Sequence, residues 1–166
     1  KGVMVEHASV VNLVNTQQAV LSTDSNQSVA QFASLVFDAS VFEIFNTLLT
    51  GNELHIISSA TRKDTDVLLR YLIQFDIKLV TLPPALLETI LKKDLSSLTT
   101  LVSAGESLSL AAMERLSEGI NLFNAYGPTE GTVCTSMHLF KKGDLSTNIG
   151  RPIANTKVYV LDGHLN

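Results

Sequence analysis

The sequence predicts an α/β fold built around a mostly parallel sheet. Short apolar runs, which are typical of buried strands, alternate along the chain with longer segments of helical periodicity. No internal repeat, linker or low-complexity stretch interrupts this alternation. The length of 166 residues, with 45% hydrophobic and 17% charged residues, suits one packed core. We therefore expect residues 1–166 to form a single structural unit.

The amino-terminal third of the chain predicts two pairs of strand and helix. Valine and leucine residues give the first helix an apolar face. Asp38 is placed to cap the second helix, which Gly51 ends. The predicted elements are a strand over residues 3–5, a helix over residues 9–21, a strand over residues 28–35 and a helix from Asp38 to residue 49.

The rest of the chain repeats the strand and helix pattern three times and then returns to strands. Pro83 and Pro84 open one of the helices, because proline is tolerated in a first turn. The predicted strands cover residues 54–57, 78–81, 100–103, 121–123 and 157–161. The predicted helices cover residues 64–75, 83–92 and 109–117. Helices that alternate with strands in this way are the usual connections between parallel strands.

The charge and the cysteine content exclude several classes of function. A formal net charge of -4 and a pI near 5.5 argue against binding to nucleic acid or to an anionic membrane. The single cysteine, Cys134, cannot form an intramolecular disulfide, so a reducing cytoplasm is the simplest compartment. We interpret Cys134 as a buried small residue rather than a nucleophile. The four histidines lack metal-ligand spacing, and no apolar run is long enough to predict a transmembrane helix.

Four of the predicted strands lead directly into segments that could bind a ligand. In an open parallel sheet, ligands bind beyond the carboxyl ends of the strands. The segments are Phe37-Asp38, Thr81-Leu82, residues 103–106 and residues 124–130. The sequence therefore predicts a single cleft that these four segments line.

Residues 124–130, with the sequence Asn-Ala-Tyr-Gly-Pro-Thr-Glu, combine the groups that a nucleotide site needs. Tyr126 offers an aromatic face for a base, and Thr129 offers a hydroxyl donor for a phosphate oxygen. Glu130 offers the hard oxygen ligand that Mg²⁺ prefers. The same residues also fit a simple Gly-Pro turn in which the threonine caps a helix. The chemistry of the residues alone leaves both interpretations open.

Four motifs, in order along the whole chain, resemble core motifs of the adenylate-forming superfamily. The closest resemblance is to the adenylation domains of nonribosomal peptide synthetases, and residues 124–130 carry most of it. The other motifs are Lys1-Gly2-Val3 with the His7-x-x-Val10-Val-Asn12 stretch, residues 37–43, and residues 149–153 with 158–162. The resemblance implies a three-layer, flavodoxin-like subdomain whose mostly parallel sheet has helices on both faces.

The resemblance also implies a site for ATP at the carboxyl end of the sheet. Tyr126 would stack on adenine, while Asn124 and the backbone near Ala125 would meet the amino group of adenine. Thr129 would contact the α-phosphate, and Glu130 would hold Mg²⁺. The implied nucleotide-binding residues are Ala104, Gly105, Glu106, Asn124, Ala125, Tyr126, Gly127 and Thr129.

Asp38 is implied to pair with the α-ammonium group of an amino-acid substrate. Capping of the following helix is the alternative role for this carboxylate. An acyl- or aryl-CoA ligase would not need an ammonium partner, so Asp38 favours an amino acid over a plain carboxylic acid. A non-catalytic flavodoxin-like binding module remains a further alternative.

A pocket for the substrate side chain is implied beside Asp38. Its other residues are apolar apart from Thr81, its alanines leave space, and no second charge is expected in it. The set resembles pockets that select phenylalanine, although core packing is the alternative for Val102 and Val133. The implied pocket residues are Asp38, Ala39, Phe42, Thr81, Val102, Ala104, Ala125, Val133 and Cys134.

The implied parent enzyme activates the amino acid as aminoacyl-AMP and loads it onto the phosphopantetheine thiol of a carrier domain. Its partners would be the remainder of the adenylation domain and the peptidyl carrier and condensation domains. The family's carboxyl-terminal lysine, its ribose-binding aspartate and most of its phosphate loop are not in this sequence, where Lys1 resembles a remnant of that loop. We therefore expect both ends to be internal to a longer protein and the isolated chain to be inactive.

Overall fold

The computed structural model describes residues 2–21 and 25–164 and confirms the predicted α/β fold. Within these residues, the strands of the sheet are β1 (Ser28–Gln31), β2 (Glu53–Ile56), β3 (Leu79–Leu82), β4 (Thr100–Ala104), β5 (Asn121–Tyr126), β6 (Ser136–Leu139) and β7 (Arg151–Pro152). The helices are α1 (His7–Leu21), α2 (Ala39–Leu49), α3 (Ser59–Lys63), α4 (Thr65–Gln74), α5 (Pro84–Thr89) and α6 (Leu110–Leu116). None of these described helices has the length and apolar character needed to cross a bilayer.

The sheet has the strand order β2-β1-β3-β4-β5-β6-β7. Strands β1 to β5 pair in parallel, in the order 2-1-3-4-5 that flavodoxin-like folds share. Beyond β5 the pairing becomes antiparallel: β6 pairs antiparallel with β5, and β7 pairs antiparallel with β6. The strand order reverses between β1 and β3, and ligands of such sheets bind at that point. The prediction of a mostly parallel, flavodoxin-like sheet is therefore confirmed.

Two hydrophobic cores lie on opposite faces of the sheet, because alternate residues of a strand point to opposite sides. Leu101 and Leu122 pack into one core with α4, α5 and α6. Val102 and Phe123 pack into the other core with α1 and α2. Full burial of side chains of this size contributes about 1.5–3 kcal/mol each to folding. The predicted arrangement of one sheet between two helical layers is thus confirmed.

Side-chain caps fix the starts of α4 and α6. Asp64 Oδ1 accepts a hydrogen bond from the backbone N–H of Val67 at 3.0 Å, and Ser109 Oγ accepts one from Ala112 at 3.2 Å. Each such cap stabilises its helix by about 1 kcal/mol. Both starts agree with the predicted helices, as does the helix predicted over residues 9–21.

Two predicted strands and three predicted element ends are wrong. Residues 3–5 and 157–161 are exposed and pair with no strand, because an apolar run forms a strand only where a sheet edge is available to it. Strand β1 ends at Gln31 rather than at residue 35, since the carboxylate of Glu43 instead of a neighbouring strand receives the N–H of Ala33. Helix α5 ends at Thr89 rather than at residue 92, because the N–H of Ile90 donates to the carbonyl oxygen of Leu87 in a tighter turn. Strand β5 continues to Tyr126 rather than ending at residue 123, because residues 124–126 pair with β6.

Candidate functional site

A cavity of about 560 Å³ opens at the carboxyl ends of β1, β3, β4 and β5. It lies at the point where the strand order reverses. Its wall is formed by the loop after β1, the first turn of α2, α3, the ends of the central strands and the segment before β6. The lining residues are Phe32, Ala33, Ser34, Phe37, Asp38, Ala39, Phe42, Arg62, Thr81, Leu82, Pro83, Val102, Ala104, Gly105, Ala125, Gly127, Val133 and Cys134.

All nine residues predicted for the substrate pocket line this one cavity. Val102 and Ala104 alternate along β4 and therefore face the same side of the sheet. Ala125 pairs with Ala104 in register on β5, which places two small side chains next to each other. Val133, in the segment before β6, adopts a left-handed backbone conformation, with φ of 68°, and also lines the cavity. The structure brings these positions together, and their contact with a substrate remains a prediction.

Asp38 does not cap α2 with its side chain, so the capping role expected for it is wrong. Its backbone is already helical, and its Oδ2 instead accepts a hydrogen bond from Thr129 Oγ1 at 2.5 Å. Thr129 likewise makes no side-chain cap on the short 3₁₀ helix Thr129–Gly131. The two residues lie 91 positions apart in the sequence, and their bond ties the start of α2 to the loop after β5.

Asp38 also lies at the boundary between two cavities. A second, more open cavity of about 580 Å³ adjoins the first and shares Phe37, Asp38 and Val133 with it. Thr129 lines the second cavity, as do residues of the segment before α1. A ligand that passed Asp38 could therefore place one end in each cavity.

The loop after β5 is held closely against the segment before β6. A Cβ atom at Gly127 would lie 2.5 Å from the backbone nitrogen of Thr135 and 2.9 Å from the Cα atom of Cys134. The N–H of Thr135 donates to the carbonyl oxygen of Tyr126 at 2.8 Å. Glycine is required here by the close approach of two backbones. This contact sets the position of the residues that follow, including Thr129.

The residues predicted to bind a nucleotide are only partly gathered around the cavity. Ala104, Gly105, Ala125 and Gly127 line it. Tyr126 is 53% exposed at the end of β5, outside the lining, where a flat ligand can reach it.

Asn124 and Glu106 lie in contrasting environments. Asn124 is buried, and its Nδ2 donates to the carbonyl oxygen of Asn148 at 3.0 Å. This bond orients the amide of Asn124 and ties β5 to the segment before β7. Glu106 is exposed and lies outside the cavity lining, so the structure does not place its side chain with the other members of the set.

Glu130 is exposed on the 3₁₀ helix and faces a shallow hollow beside α1 instead of the cavity. Within residues 2–21 and 25–164, no group of three or more carboxylate, histidine or cysteine side chains could hold a metal ion. A lone carboxylate suits Mg²⁺ only where phosphate oxygens complete its coordination. Lys1, the other residue expected near a phosphate, lies outside the described residues.

Arg62 lines the cavity, so the expectation of a pocket without a second charge is wrong. The residue lies on α3, a five-residue helix that is too short to show helical periodicity in the sequence. Its Nη1 donates to the carbonyl oxygen of Phe32 at 3.0 Å, which turns the guanidinium toward the wall. Ser58 starts this helix by accepting the N–H of Thr61, and that cap is the sequence signal that could have revealed it.

Glu43 is a second charged residue that sequence reasoning missed, and it lies behind the cavity wall. Its side chain is on α2, and the residue is only 1% exposed. Its Oε2 accepts hydrogen bonds from the N–H of Ala33 at 2.9 Å and from Gln31 Nε2 at 3.2 Å. Burial raises the pKa of Glu43 to about 7, although these hydrogen bonds and the nearby Arg62 oppose the rise.

Cys134 is buried, in agreement with the prediction. Burial raises the pKa of its thiol to about 11, and its Sγ donates to the carbonyl oxygen of Ser136 at 3.3 Å. A thiol with so high a pKa is almost entirely protonated near neutral pH and is a poor nucleophile. Cys134 therefore contributes shape to the cavity wall rather than reactivity.

Comparison with known proteins adds two kinds of similarity to this geometry. The family model described as AMP-binding enzyme matches residues 1–166. Gramicidin S synthase 1 of Brevibacillus brevis is 37% identical over 99% of this chain, which spans 15% of that protein. Bacitracin synthase 3 of Bacillus licheniformis is 40% identical over 98% of the chain, which spans 2% of that protein. The chain thus corresponds to a small part of each of these relatives.

Solved structures of nonribosomal peptide synthetases share the fold. The synthetase FmoA3 in its AMPPNP-bound form superposes with a TM-score of 0.90 and 27% identity, over 98% of this chain and 19% of that one. A four-domain nonribosomal peptide synthetase bound to AMP and glycine superposes with a TM-score of 0.89 and 29% identity, over 99% of this chain and 13% of that one.

Proposed function

We propose, from the premise that the chain belongs to the AMP-binding enzyme family, that residues 1–166 select the amino acid in a nonribosomal peptide synthetase adenylation domain. The chain would be one subdomain of that domain. The parent would be an amino-acid-adenylating ligase of the cytoplasm. Adenylation joins the substrate carboxylate to the α-phosphate of ATP and releases pyrophosphate. The residues of this chain would hold and orient both substrates.

The position of Asp38 at the edge of an apolar cavity carries this proposal. A carboxylate there can form a charge-assisted hydrogen bond with an α-ammonium group, while the side chain of the amino acid enters the cavity of about 560 Å³. The lining beyond Asp38 is mainly apolar, and Ala39, Ala104 and Ala125 leave room for a large side chain. We keep phenylalanine as the proposed substrate, because its large side chain is apolar and needs no hydrogen-bond partner in this lining.

Arg62 is compatible with an apolar substrate in this cavity. Its Nη1 is already bonded to Phe32 O, and Glu43 lies close enough to interact with it electrostatically. Because the guanidinium already donates to this carbonyl oxygen, we expect it to attract a substrate anion less strongly than a free guanidinium would. We therefore keep a hydrophobic amino acid as the proposed substrate.

ATP would bind beside the amino acid, with its phosphates near the second cavity. Thr129 lines that cavity and could donate to the α-phosphate, and the exposed ring of Tyr126 could stack on adenine. The amide of Asn124, held by Asn148, could meet the adenine edge. Glu130 would take part in holding Mg²⁺ together with phosphate oxygens.

The exposed apolar surface around α2 supports the proposal that further parts of a parent domain cover the chain. Leu35, Val36 and Phe37 are exposed in the loop after β1, and Phe45 and Leu48 are exposed on α2. Apolar patches of this kind are typical of surfaces that other protein segments cover. The proposed occupant is the remainder of the adenylation domain, and carrier-domain phosphopantetheine and condensation domains would complete the assembly.

The test is to place residues 1–166 in a complete adenylation domain in exchange for its own corresponding segment. Amino-acid-dependent exchange of pyrophosphate into ATP is then measured with each of the twenty amino acids. We expect the hybrid to prefer phenylalanine and to lose at least tenfold in kcat/KM when Asp38→Asn removes the ammonium partner. Thr99→Val, at the opposite end of the sheet, is the control.

Several outcomes would contradict the proposal. Preference for a small or polar amino acid would end the assignment of phenylalanine. Activation of an acyl or aryl acid would favour the related CoA ligases, and folded hybrids without any exchange would favour a non-catalytic binding module. Pyrophosphate exchange by the isolated chain would contradict the expectation that it lacks the groups needed for catalysis.

A further inference from the structure

One peptide group in the cavity wall is held at both ends by charged side chains from two different helices. Arg62 Nη1, on α3, donates to the carbonyl oxygen of Phe32 at 3.0 Å. Glu43 Oε2, on α2, accepts from the N–H of Ala33 at 2.9 Å. The oxygen of Phe32 and the N–H of Ala33 belong to the same peptide bond, which we call the 32–33 peptide.

The 32–33 peptide begins the loop that leads to Asp38. Strand pairing ends at Gln31, so the next backbone groups depend on side chains for their hydrogen bonds. The side-chain amide of Gln31 donates to the carbonyl oxygen of Ala33 and to Glu43, which closes the turn. Phe32 and Ala33 themselves line the cavity. The same contacts thus satisfy the backbone and shape the wall.

The rest of this loop has little packing of its own. Leu35, Val36 and Phe37 are 74%, 85% and 65% exposed. The first turn of α2 fixes one end of the loop, where Ser40 Oγ donates to the carbonyl oxygen of Phe37 at 2.7 Å. The 32–33 peptide fixes the other end. The position of Asp38 relative to β3 and β4 therefore depends on both attachments.

We propose that Glu43 and Arg62 are positioning residues, which clamp the 32–33 peptide and thereby hold Asp38 and the adjoining wall in the conformation that accepts the amino acid. This inference rests on the proposed function and assigns α3 a part in substrate selection. Burial of the Glu43 carboxyl raises its pKa, so its ionisation is less favourable in the folded protein than in the unfolded chain. Retention of a buried carboxyl that is costly to ionise is consistent with a role in fixing local geometry.

The first test measures KM for the amino acid and KM for ATP in a complete adenylation domain that carries residues 1–166. We expect Arg62→Met and Glu43→Met each to raise KM for the amino acid about tenfold and to change KM for ATP less than twofold. The double variant should match the single variants rather than multiply their effects, because both residues act on one peptide. Arg62→Lys, which keeps the charge and one donor, should restore KM to within threefold of the unsubstituted domain.

Arg70→Met is the matched control, since Arg70 is an exposed arginine on α4 away from the cavity lining. Partial unfolding would lower kcat without changing KM, because KM does not depend on the amount of active enzyme. An unchanged KM for the amino acid in folded Arg62→Met, or an equal rise in KM for ATP, would overturn the inference. Multiplied effects in the double variant would also overturn it.

Hydrogen exchange tests the clamp without relying on activity. We expect the backbone amides of residues 32–38 to exchange at least tenfold faster in Arg62→Met and Glu43→Met than in Arg70→Met. Equal exchange rates in all three variants would overturn the clamp. A folded, unsubstituted domain without amino-acid-dependent activity would instead contradict the proposed function, so the two failures are distinguishable.

Discussion

The hydrogen bond between Thr129 and Asp38 is the residue-scale contact that matters most for the proposed site. Asp38 lies at the start of α2 and Thr129 follows β5. The bond therefore joins two parts of the site that are 91 residues apart in the sequence. It fixes one oxygen of the carboxylate that is proposed to meet the substrate ammonium. The orientation of Asp38 therefore depends on a hydroxyl proposed to contact the nucleotide.

Replacing Thr129 with valine should weaken the binding of both substrates. Thr129→Val keeps the side-chain shape but removes the donor to Asp38 and to a phosphate oxygen. A hydrogen bond to a charged group contributes about 1.5–3 kcal/mol. We expect KM for the amino acid and KM for ATP each to rise about tenfold in pyrophosphate-exchange assays of the complete domain. Thr99→Val is the control, and an unchanged KM for the amino acid would contradict the orienting role of Thr129.

Most positions of the cavity could be predicted from the sequence, because strand ends and a helix start converge on one edge of a parallel sheet. Val102 and Ala104, for example, alternate on a strand whose direction the pattern already predicts. Arg62 and Glu43 could not be predicted in the same way. Their roles depend on side chains that cross from one helix to a loop, and local periodicity carries no information about such contacts.

At the scale of elements, the contact between the loop after β5 and the segment before β6 positions the proposed nucleotide site. Gly127 permits this contact, because any side chain there would meet the backbone of residues 133–135. The antiparallel β6 then continues from this segment along β5. The packing of two backbones thus places Tyr126 and Thr129 relative to the cavity.

Gly127→Ala should destabilise the protein. Its Cβ would lie 2.5 Å from Thr135 N, a backbone atom that cannot move without shifting the start of β6. Overpacking of this kind costs about 1–3 kcal/mol. Urea-induced unfolding followed by circular dichroism should show that loss in the free energy of unfolding. Gly163→Ala is the control, because its Cβ would meet no atom within 4 Å, and equal stability of the two variants would refute the explanation.

The strands and helices differ in how well the sequence predicts them. Buried strands such as β3 and β4 were predictable to within one residue, because both faces of each strand are covered and the residues form continuous apolar runs. Strands β6 and β7 were not predictable as an antiparallel edge, since they are defined by pairing with distant residues. Residues 157–161 have the composition of a strand but lack a paired edge in the described chain.

At the scale of the whole molecule, the buried Glu43 links stability to pH. Burial raises its pKa from 4.5 to about 7, so the folded protein holds this proton more tightly than the unfolded chain does. The resulting stabilisation is fully present below about pH 4.5 and is lost as the pH rises through 7. The resulting loss in the free energy of unfolding, from below pH 4.5 to above pH 7, corresponds to about 3 kcal/mol.

Glu43→Gln should therefore reduce the fall in stability between pH 5 and pH 8. The free energy of unfolding of the unsubstituted protein should decrease over this range by about 1–3 kcal/mol more than that of the variant. Chemical denaturation at intervals across the range measures both slopes. Parallel curves would show that Glu43 does not titrate differently in the folded and unfolded states.

The bond between Thr129 and Asp38 has a further consequence for the order in which ligands act. The hydroxyl of Thr129 carries a single proton, so it can donate to Asp38 or to a phosphate oxygen but not to both at once. A phosphate that took this donor would leave Asp38 without the bond that orients it, and an amino acid held by the oriented Asp38 would keep the donor from the phosphate. Thermodynamic linkage requires this cost to be equal in both directions. Negative coupling between amino acid and nucleotide would thus arise from one pair of side chains, without any movement of domains.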